Sequence, residues 1–575
     1  MAISADSFGQ AEARERVRIA LRLEEAVLWL VLFAQLLLRG LYLFHHRIDS
    51  DEPQHLHVVW GWTQGLVQYR DLFDNHAPLF HLLLAPFVLV FGERPDILVL
   101  ARLMLLPLVA LSLWATWHLG SRLWSREVGA WGAVLSGLAP TWLLTSVEFR
   151  ADILWMAAWL CSLLVLLGGP FTPRRGFLGG LLLGAALVTS LKSVLLLIAF
   201  AMAGALVLVL GHRAGERWAP RRIGESIAWI TAGLVILPII LLAAFWRAGA
   251  LGALSYCTIQ HNIVPGLGLW GSLSPRLLFL PATLLVCAPV ARRFLQQRPD
   301  GLTERRVVFI LTTALFIALL EGYWPLITRE DYLPWIPMLT LVAVAFTRWG
   351  WSRIGRGVPG SPARAGLVAT LTLVAAFEIV SVVRTEAAWL DTNQDESRLL
   401  GEVLRLTRAH EPIMDLKGET VFRPRPYYIV LEGVAKARIA LGLLPDRIAL
   451  DVERTRTHFA ALDNRGFPPA GRRFLSEHFV PAGSLRVLGV DLGDRPAAGK
   501  DVRAFDVSYP ERFAIIADRA PGRGNLDGAP YREPRALGTG THIYRPGPGE
   551  SRVVVVWQGA IERDPALARL PWTSR

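Results

Sequence analysis

Hydrophobic residues in this chain gather in long blocks instead of alternating with polar ones. A bilayer crossing needs about 20 apolar residues. Runs of roughly that order lie near 24–44, 97–119, 127–147, 150–168, 176–210, 224–246, 275–294, 307–322, 332–347 and 365–384. The 176–210 run is long enough for two crossings and breaks at Thr189-Ser190-Leu191-Lys192, so the pattern predicts about eleven crossings. A further apolar stretch, Leu79–Phe91, is too short to cross and is expected to lie along the interface as a non-spanning helix. Residues 45–96 then form one long loop between the first two crossings, rich in acids, histidines and aromatics. Loops of that length are usually functional or disordered, and this one is too apolar for disorder. A second loop, 247–274, carries Tyr256, Gln260, His261 and Asn262.

From about 385 onward, charged residues, prolines and glycines interrupt every apolar run. The expected organisation is a helical membrane domain over 1–384 and a soluble domain over 385–575. Alternating segments at Leu485–Leu492, Phe505–Ile516 and Val553–Trp557, with an Asp527-Gly528 turn, predict a mixed α/β domain with an antiparallel β module at about 500–560. Asp506-Val507-Ser508 and Gly538-Thr539-Gly540-Thr541-His542 suggest that this module is a small β sandwich.

Composition agrees with a polytopic membrane protein. Of 575 residues, 53% are hydrophobic and 19% charged, with mean hydropathy +0.38, too apolar for a soluble chain of this length. The net charge of +12 and pI near 10.1 invite a nucleic-acid reading. The arginines, however, fall mainly in short loops between apolar runs, which is the pattern of topology signals. Arg122/Arg126, Arg174/Arg175, Arg213/Arg217/Arg221/Arg222, Arg292/Arg293/Arg305/Arg306 and Arg348/Arg353/Arg356 all fall on one side, the side of the N-terminus with Arg14, Arg16, Arg18 and Arg22. This predicts a multi-pass protein of the cytoplasmic (inner) membrane with its N-terminus in the cytoplasm. Residues 45–96 and the C-terminal domain are then extracytoplasmic. The first apolar run lacks a small-residue cleavage signal and is expected to be a retained helix. Cys161, Cys257 and Cys287 show no metal or disulfide spacing.

The chemistry concentrates after the first helix, in Asp49-Ser50-Asp51-Glu52-Pro53 and then Tyr69-Arg70-Asp71-Leu72-Phe73-Asp74-Asn75-His76-Ala77-Pro78. Carboxylates this dense at a membrane surface are costly unless solvated or paired, so they suggest a polar cavity there. A plain solvated loop explains the spacing equally well. Lys192, at the break inside the long apolar run, is either a snorkelling boundary lysine or a functional cation. Glu148-Phe149-Arg150-Ala151-Asp152 either neutralises itself as an ion pair or reaches a ligand. Asp74, His76 and His261 allow a divalent-metal alternative that spacing does not fix. Trp60 and Trp62 are candidates for stacking on the flat face of a ligand.

An Asp-Glu pair directly after the first membrane helix, followed by Tyr69-Arg70-Asp71, Asp74, His76 and Pro78 leading into an interfacial apolar helix, resembles the class C glycosyltransferase superfamily. The nearest group is the bacterial branch related to protein O-mannosyltransferases and to the aminoarabinose transferase that modifies lipid A. The resemblance covers roughly 24–350. It departs at Ala77, where the family commonly has a second proline. It implies transfer of a sugar from a polyprenyl-phosphate donor to an extracytoplasmic hydroxyl or phosphate acceptor on a lipid, glycan or protein, without a resident cofactor. Asp51 matches the family's catalytic carboxylate, a general base on the acceptor, with Glu52 in the same motif and Asp49 as the fallback. Proton removal by a carboxylate suits a poorly nucleophilic alcohol attacking an anomeric carbon, here with inversion. The departing lipid phosphate calls for cations, and Arg70, Lys192 and Arg329 are the candidates, with Tyr332 beside Arg329. Asp71, Asp74, His76, Arg150, Asp152 and His261 are the remaining candidate substrate contacts. The rival readings are a transporter or flippase and a non-catalytic glycan-binding protein. Charge gathered in one loop, with no repeated halves, weighs against transport.

Overall fold

The computed structural model describes residues 3–213, 220–267, 275–297, 300–354, 362–461, 465–493 and 502–569. Arg217, Arg356 and the 268–274 part of the second loop lie outside them. The membrane domain is an all-helical bundle that opens with Ile3–His45 and closes with Pro362–Thr385. Among the described helices, seven are long and apolar enough to cross a membrane, which makes the chain a multi-pass membrane protein. About eleven crossings were expected; of the four runs outside these seven, one forms the 20-residue helix Trp335–Ile354, which is long enough to cross but less apolar, and the other three form shorter helices. Arg126–Leu138 has 13 residues, Pro173–Leu187 has 15 and Ala151–Leu167 has 17. Pro140, which lacks an amide hydrogen, splits the expected 127–147 run by opening a separate helix, Pro140–Thr145.

Backbone contact fastens the middle of the bundle. A Cβ on Gly180 would stand 2.0 Å from the Ile230 carbonyl oxygen, and one on Gly184 would stand 2.4 Å from that of Leu234. The Pro173–Leu187 and Pro220–Arg247 helices therefore touch main chain to main chain, as small-residue stripes allow in lipid. Gly180→Val is expected to push these helices apart, with a marked fall in folded, membrane-inserted protein measured by detergent size-exclusion yield. Inside the first helix the buried Arg39 donates from two of its three nitrogens, to the Ser146 hydroxyl at 2.8 Å and the Gly137 carbonyl at 3.1 Å.

Between the first helix and Ile97–Met104, the loop folds into two short helices, Asp51–Thr63 and Leu79–Phe91. The first is buried over nearly its whole length. The second exposes Leu83, Leu89 and Val90, an apolar face suited to lying against lipid.

Beyond Thr385 the chain becomes a mixed α/β domain. Its larger sheet runs in the order Ile413–Met414, Phe459–Ala461, Leu485–Asp491, Val553–Trp557, Glu511–Ala517, Arg535–Leu537; only the first pair is parallel. A smaller antiparallel sheet joins Arg503–Val507, Gly540–Arg545, Asn525–Leu526 and Ala529–Pro530. Asp527 and Gly528 form the two-residue hairpin turn, with φ of 49° and 80°. The apolar segment expected as one strand over Phe505–Ile516 is two strands in different sheets. It breaks at Ser508-Tyr509-Pro510, where proline removes a ladder donor.

Candidate active site

The site forms where the start of the Asp51–Thr63 helix meets the start of Ala151–Leu167, the Arg329–Tyr332 turn and a turn of the soluble domain. Two acids in the first turn of a helix are favoured by its dipole. Here they face opposite ways. Glu52 is fully buried and its carboxylate is saturated. It takes two bonds from Arg102 at 2.6 and 2.7 Å, one from the Asp49 amide at 2.8 Å and one from the Phe149 amide at 2.9 Å. Expected in the catalytic set, Glu52 instead braces the Asp49 and Phe149 backbones, because no free oxygen remains to meet a substrate.

Asp51 keeps its side chain 24% exposed between two cations, Arg150 at 2.9 Å and Lys417. Burial works to raise its pKa. Arg150 and Lys417 overcome that and hold the carboxyl well below the usual carboxylate range. Asp49 accepts from the Asp51 amide at 3.1 Å and pairs with Arg150 at 3.0 Å. Arg150 also holds Asp152 at 3.2 Å, so one planar guanidinium ties three carboxylates together. Against the cost of burial, Asp152 and Asp51 keep it charged.

Arg329 joins from the other side, 2.6 Å from Glu148, 2.6 Å from Glu330 and 3.8 Å from Asp49. Glu148 is buried and is also held by His46 at 3.1 Å; the other nitrogen of His46 meets Glu386 at 2.7 Å. Lys192 pairs with the buried Asp331, whose charge outweighs burial and raises the Lys192 pKa. Tyr332 gives its hydroxyl to Glu321. The structure thus brings together Asp49, Asp51, Arg150, Asp152, Lys192 and Arg329, with Tyr332 one residue from Asp331.

The rest of the first loop does other work. Arg70 is exposed, forms its ion pair with Asp71 at 2.7 Å and donates to the Ala248 carbonyl at 3.0 Å. Asp74 is buried beneath the helix, accepting from Gln68 at 2.7 Å and Gln54 at 3.1 Å and pairing with His76 at 2.8 Å. Against burial, the Asp74 carboxylate raises the His76 pKa. His55 and His81 bond to each other at 2.9 Å, and burial pushes His81 down to about 4. His261 sits against Glu432 at 3.1 Å and not beside Asp74 and His76. Among the described residues no three histidine, cysteine or acidic side chains are grouped to hold a metal ion. Trp60 is buried with its indole nitrogen on Glu93 at 3.2 Å, and Trp62 donates to Gln68 at 3.3 Å.

Sequence reasoning missed the roof. The Asp415–Arg425 segment of the soluble domain closes over the Asp51–Thr63 helix: Lys417 reaches Asp51 and Ser50, the Val421 carbonyl meets His57 at 2.7 Å, and Arg423 pairs with Glu93 at 2.9 Å. Gly418 has φ 101°, and a Cβ there would stand 2.9 Å from that of His57. Gly418→Ala is expected to lift the turn and weaken its hold on Asp51, read as faster proteolysis between the two domains.

The helical membrane bundle with an α/β domain over one end is a fold that this chain shares with a solved membrane-protein structure. The chain is similar in structure to ArnT from Cupriavidus metallidurans in the apo state, with 12% identity over 81% of this chain and 97% of that one, TM-score 0.51. It matches the same enzyme bound to undecaprenyl phosphate with the same figures. An Archaeoglobus fulgidus oligosaccharyltransferase shares 10% identity over 76% of this chain and 69% of that one, with a TM-score of 0.45. No protein-family model and no curated protein matches.

Proposed function

We propose that this chain is a membrane glycosyltransferase that takes a sugar from a polyprenyl-phosphate donor and passes it, with inversion, to an extracytoplasmic hydroxyl. The observation that carries this reading is Asp51, a partly exposed carboxylate at a helix start that is held between Arg150 and Lys417, with Arg329 reaching the neighbouring Asp49 and Lys192 paired to Asp331. The fold shared with ArnT, which has been captured with undecaprenyl phosphate, supports a lipid-phosphate donor. The one-sided arginines support an inner-membrane protein with the site on the outer face.

In the reaction, the acceptor oxygen attacks the anomeric carbon while its proton passes to the Asp51 carboxylate. The bond from that carbon to the phosphate oxygen breaks, and its electron pair leaves on the polyprenyl phosphate. Positioned cations stabilise that developing charge, and no metal is needed to balance the step. Arg150 and Arg329 are the fixed cations, because carboxylates on several sides hold their guanidinium groups in place.

Mass spectrometry of lipid-linked sugars tests the assignment. Cells lacking the chain should accumulate an unused polyprenyl-phosphate sugar, and re-expression should clear it. An unchanged lipid-linked pool would count against the proposal.

A further inference from the structure

The four cations at the site are not equivalent. Arg150 is clamped by Asp49, Asp51 and Asp152, Arg329 by Glu148 and Glu330, and Lys192 by the fully buried Asp331. Lys417 alone comes from the soluble domain, and its carboxylate partner is Asp51 itself, with the Ser50 hydroxyl at 3.0 Å as its second contact. The turn that carries it is built to hold it there. The buried Asp415 carboxylate accepts from the amides of Gly418 and Thr420 at 3.0 Å, from the Thr420 hydroxyl at 2.8 Å and from Arg425 at 2.6 Å. Glu419 accepts from the Lys417 amide at 2.9 Å. Its residue type is also unusual for this chain. Of 60 basic residues only four are lysines, and two of those, Lys192 and Lys417, meet at this site.

An ammonium on a four-carbon stem can swing between neighbouring anions, whereas a guanidinium fork held by several carboxylates stays fixed. A base pressed by two cations is also a poor proton acceptor, since proton transfer is most efficient when the pKa of the base lies near the working pH. We propose that Lys417 is shared between two anions: Asp51, on which it rests here, and the phosphate of the lipid donor, to which it turns when the donor binds. This rests on the glycosyltransferase reading above. Donor arrival then removes one cation from Asp51 and makes it a stronger base at the moment a sugar is present to receive the acceptor. Lys417 thereby acts as a donor-binding residue that couples donor binding to base strength.

The test uses the full chain in phosphatidylcholine nanodiscs with undecaprenyl phosphate as probe. Lys417→Met should weaken binding about tenfold, as loss of one charge-assisted phosphate contact would. Asp51→Asn should tighten it about tenfold by releasing Lys417. In the double variant most of that gain should vanish, because no lysine remains to be released. Lys417→Arg keeps the charge and should bind within about threefold of the wild type, and thermal unfolding of each variant separates a binding defect from a folding defect. Equal binding by wild type and Lys417→Met, or an undiminished Asp51→Asn gain in the double variant, overturns the proposal. Failure of the wild type to bind the probe would instead overturn the lipid-donor reading itself.

Discussion

Asp51→Asn is expected to lower sugar transfer by about 10²- to 10⁴-fold while the protein stays folded and binds polyprenyl phosphate at least as tightly as the wild type. Asparagine preserves the shape at a position only half buried, so the loss would report the missing proton acceptor. The pH profile sharpens this. Burial raises the Asp51 pKa, but Arg150 and Lys417 together hold it below the usual range. A depressed carboxylate stays charged, and its ion pairs stay stabilising, until the pH falls through that depressed value. Wild-type kcat/KM should accordingly hold steady down to about pH 5 without an Asp51 limb above the ordinary carboxylate range. Transfer assays in isolated membranes fed with extracted lipid-linked sugars give both readouts. An Asp51→Asn variant with more than about a tenth of wild-type turnover would remove the base from the mechanism. A transporter or a glycan-binding receptor would be little affected by the change.

Glu52→Ala should act through the fold instead. It leaves Arg102 buried without its carboxylate and strips acceptors from the Asp49 and Phe149 amides. Breaking a buried pair by removing one partner costs about 3–5 kcal/mol. Thermal unfolding in detergent should show a large drop, and a change below about 2 °C would contradict the structural role. Replacing both partners, as Glu52→Met with Arg102→Met, should recover much of the stability but not the activity, since the anchors for Asp49 and the Arg150 turn remain missing.

The contrast between these adjacent acids shows how far the sequence could be read. Their place after the first apolar run identified the motif, and the resemblance singled out Asp51. Successive residues on a helix point about 100° apart, so the two acids were bound to meet different surroundings, but the motif alone did not name Arg102 as the partner of Glu52. Arg150, Asp152, Lys192 and Arg329 were legible as charges at the edges of apolar runs. Arg70, Asp71 and His261 carried similar signals yet pair elsewhere, because local sequence does not reveal which neighbour folding supplies. Lys417 was invisible to motif reading, lying more than 350 residues from Asp51 in a region read only as soluble. The scarcity of lysine was the one available signal. In the soluble domain, the Asp527-Gly528 turn was legible because both residues tolerate positive φ. The division of strands between two sheets was not, since it depends on pairings between distant segments.

The roof over the Asp51–Thr63 helix also sets an order of events during synthesis. His57 and Glu93 emerge early from the ribosome, but their partners Val421 and Arg423 follow some 364 and 330 residues later. Until then His57 lacks its carbonyl partner and Glu93 has the Trp60 indole but no cation. A nascent or truncated chain ending before residue 415 is therefore expected to reach the membrane with an unfinished centre and to be degraded faster than the full chain.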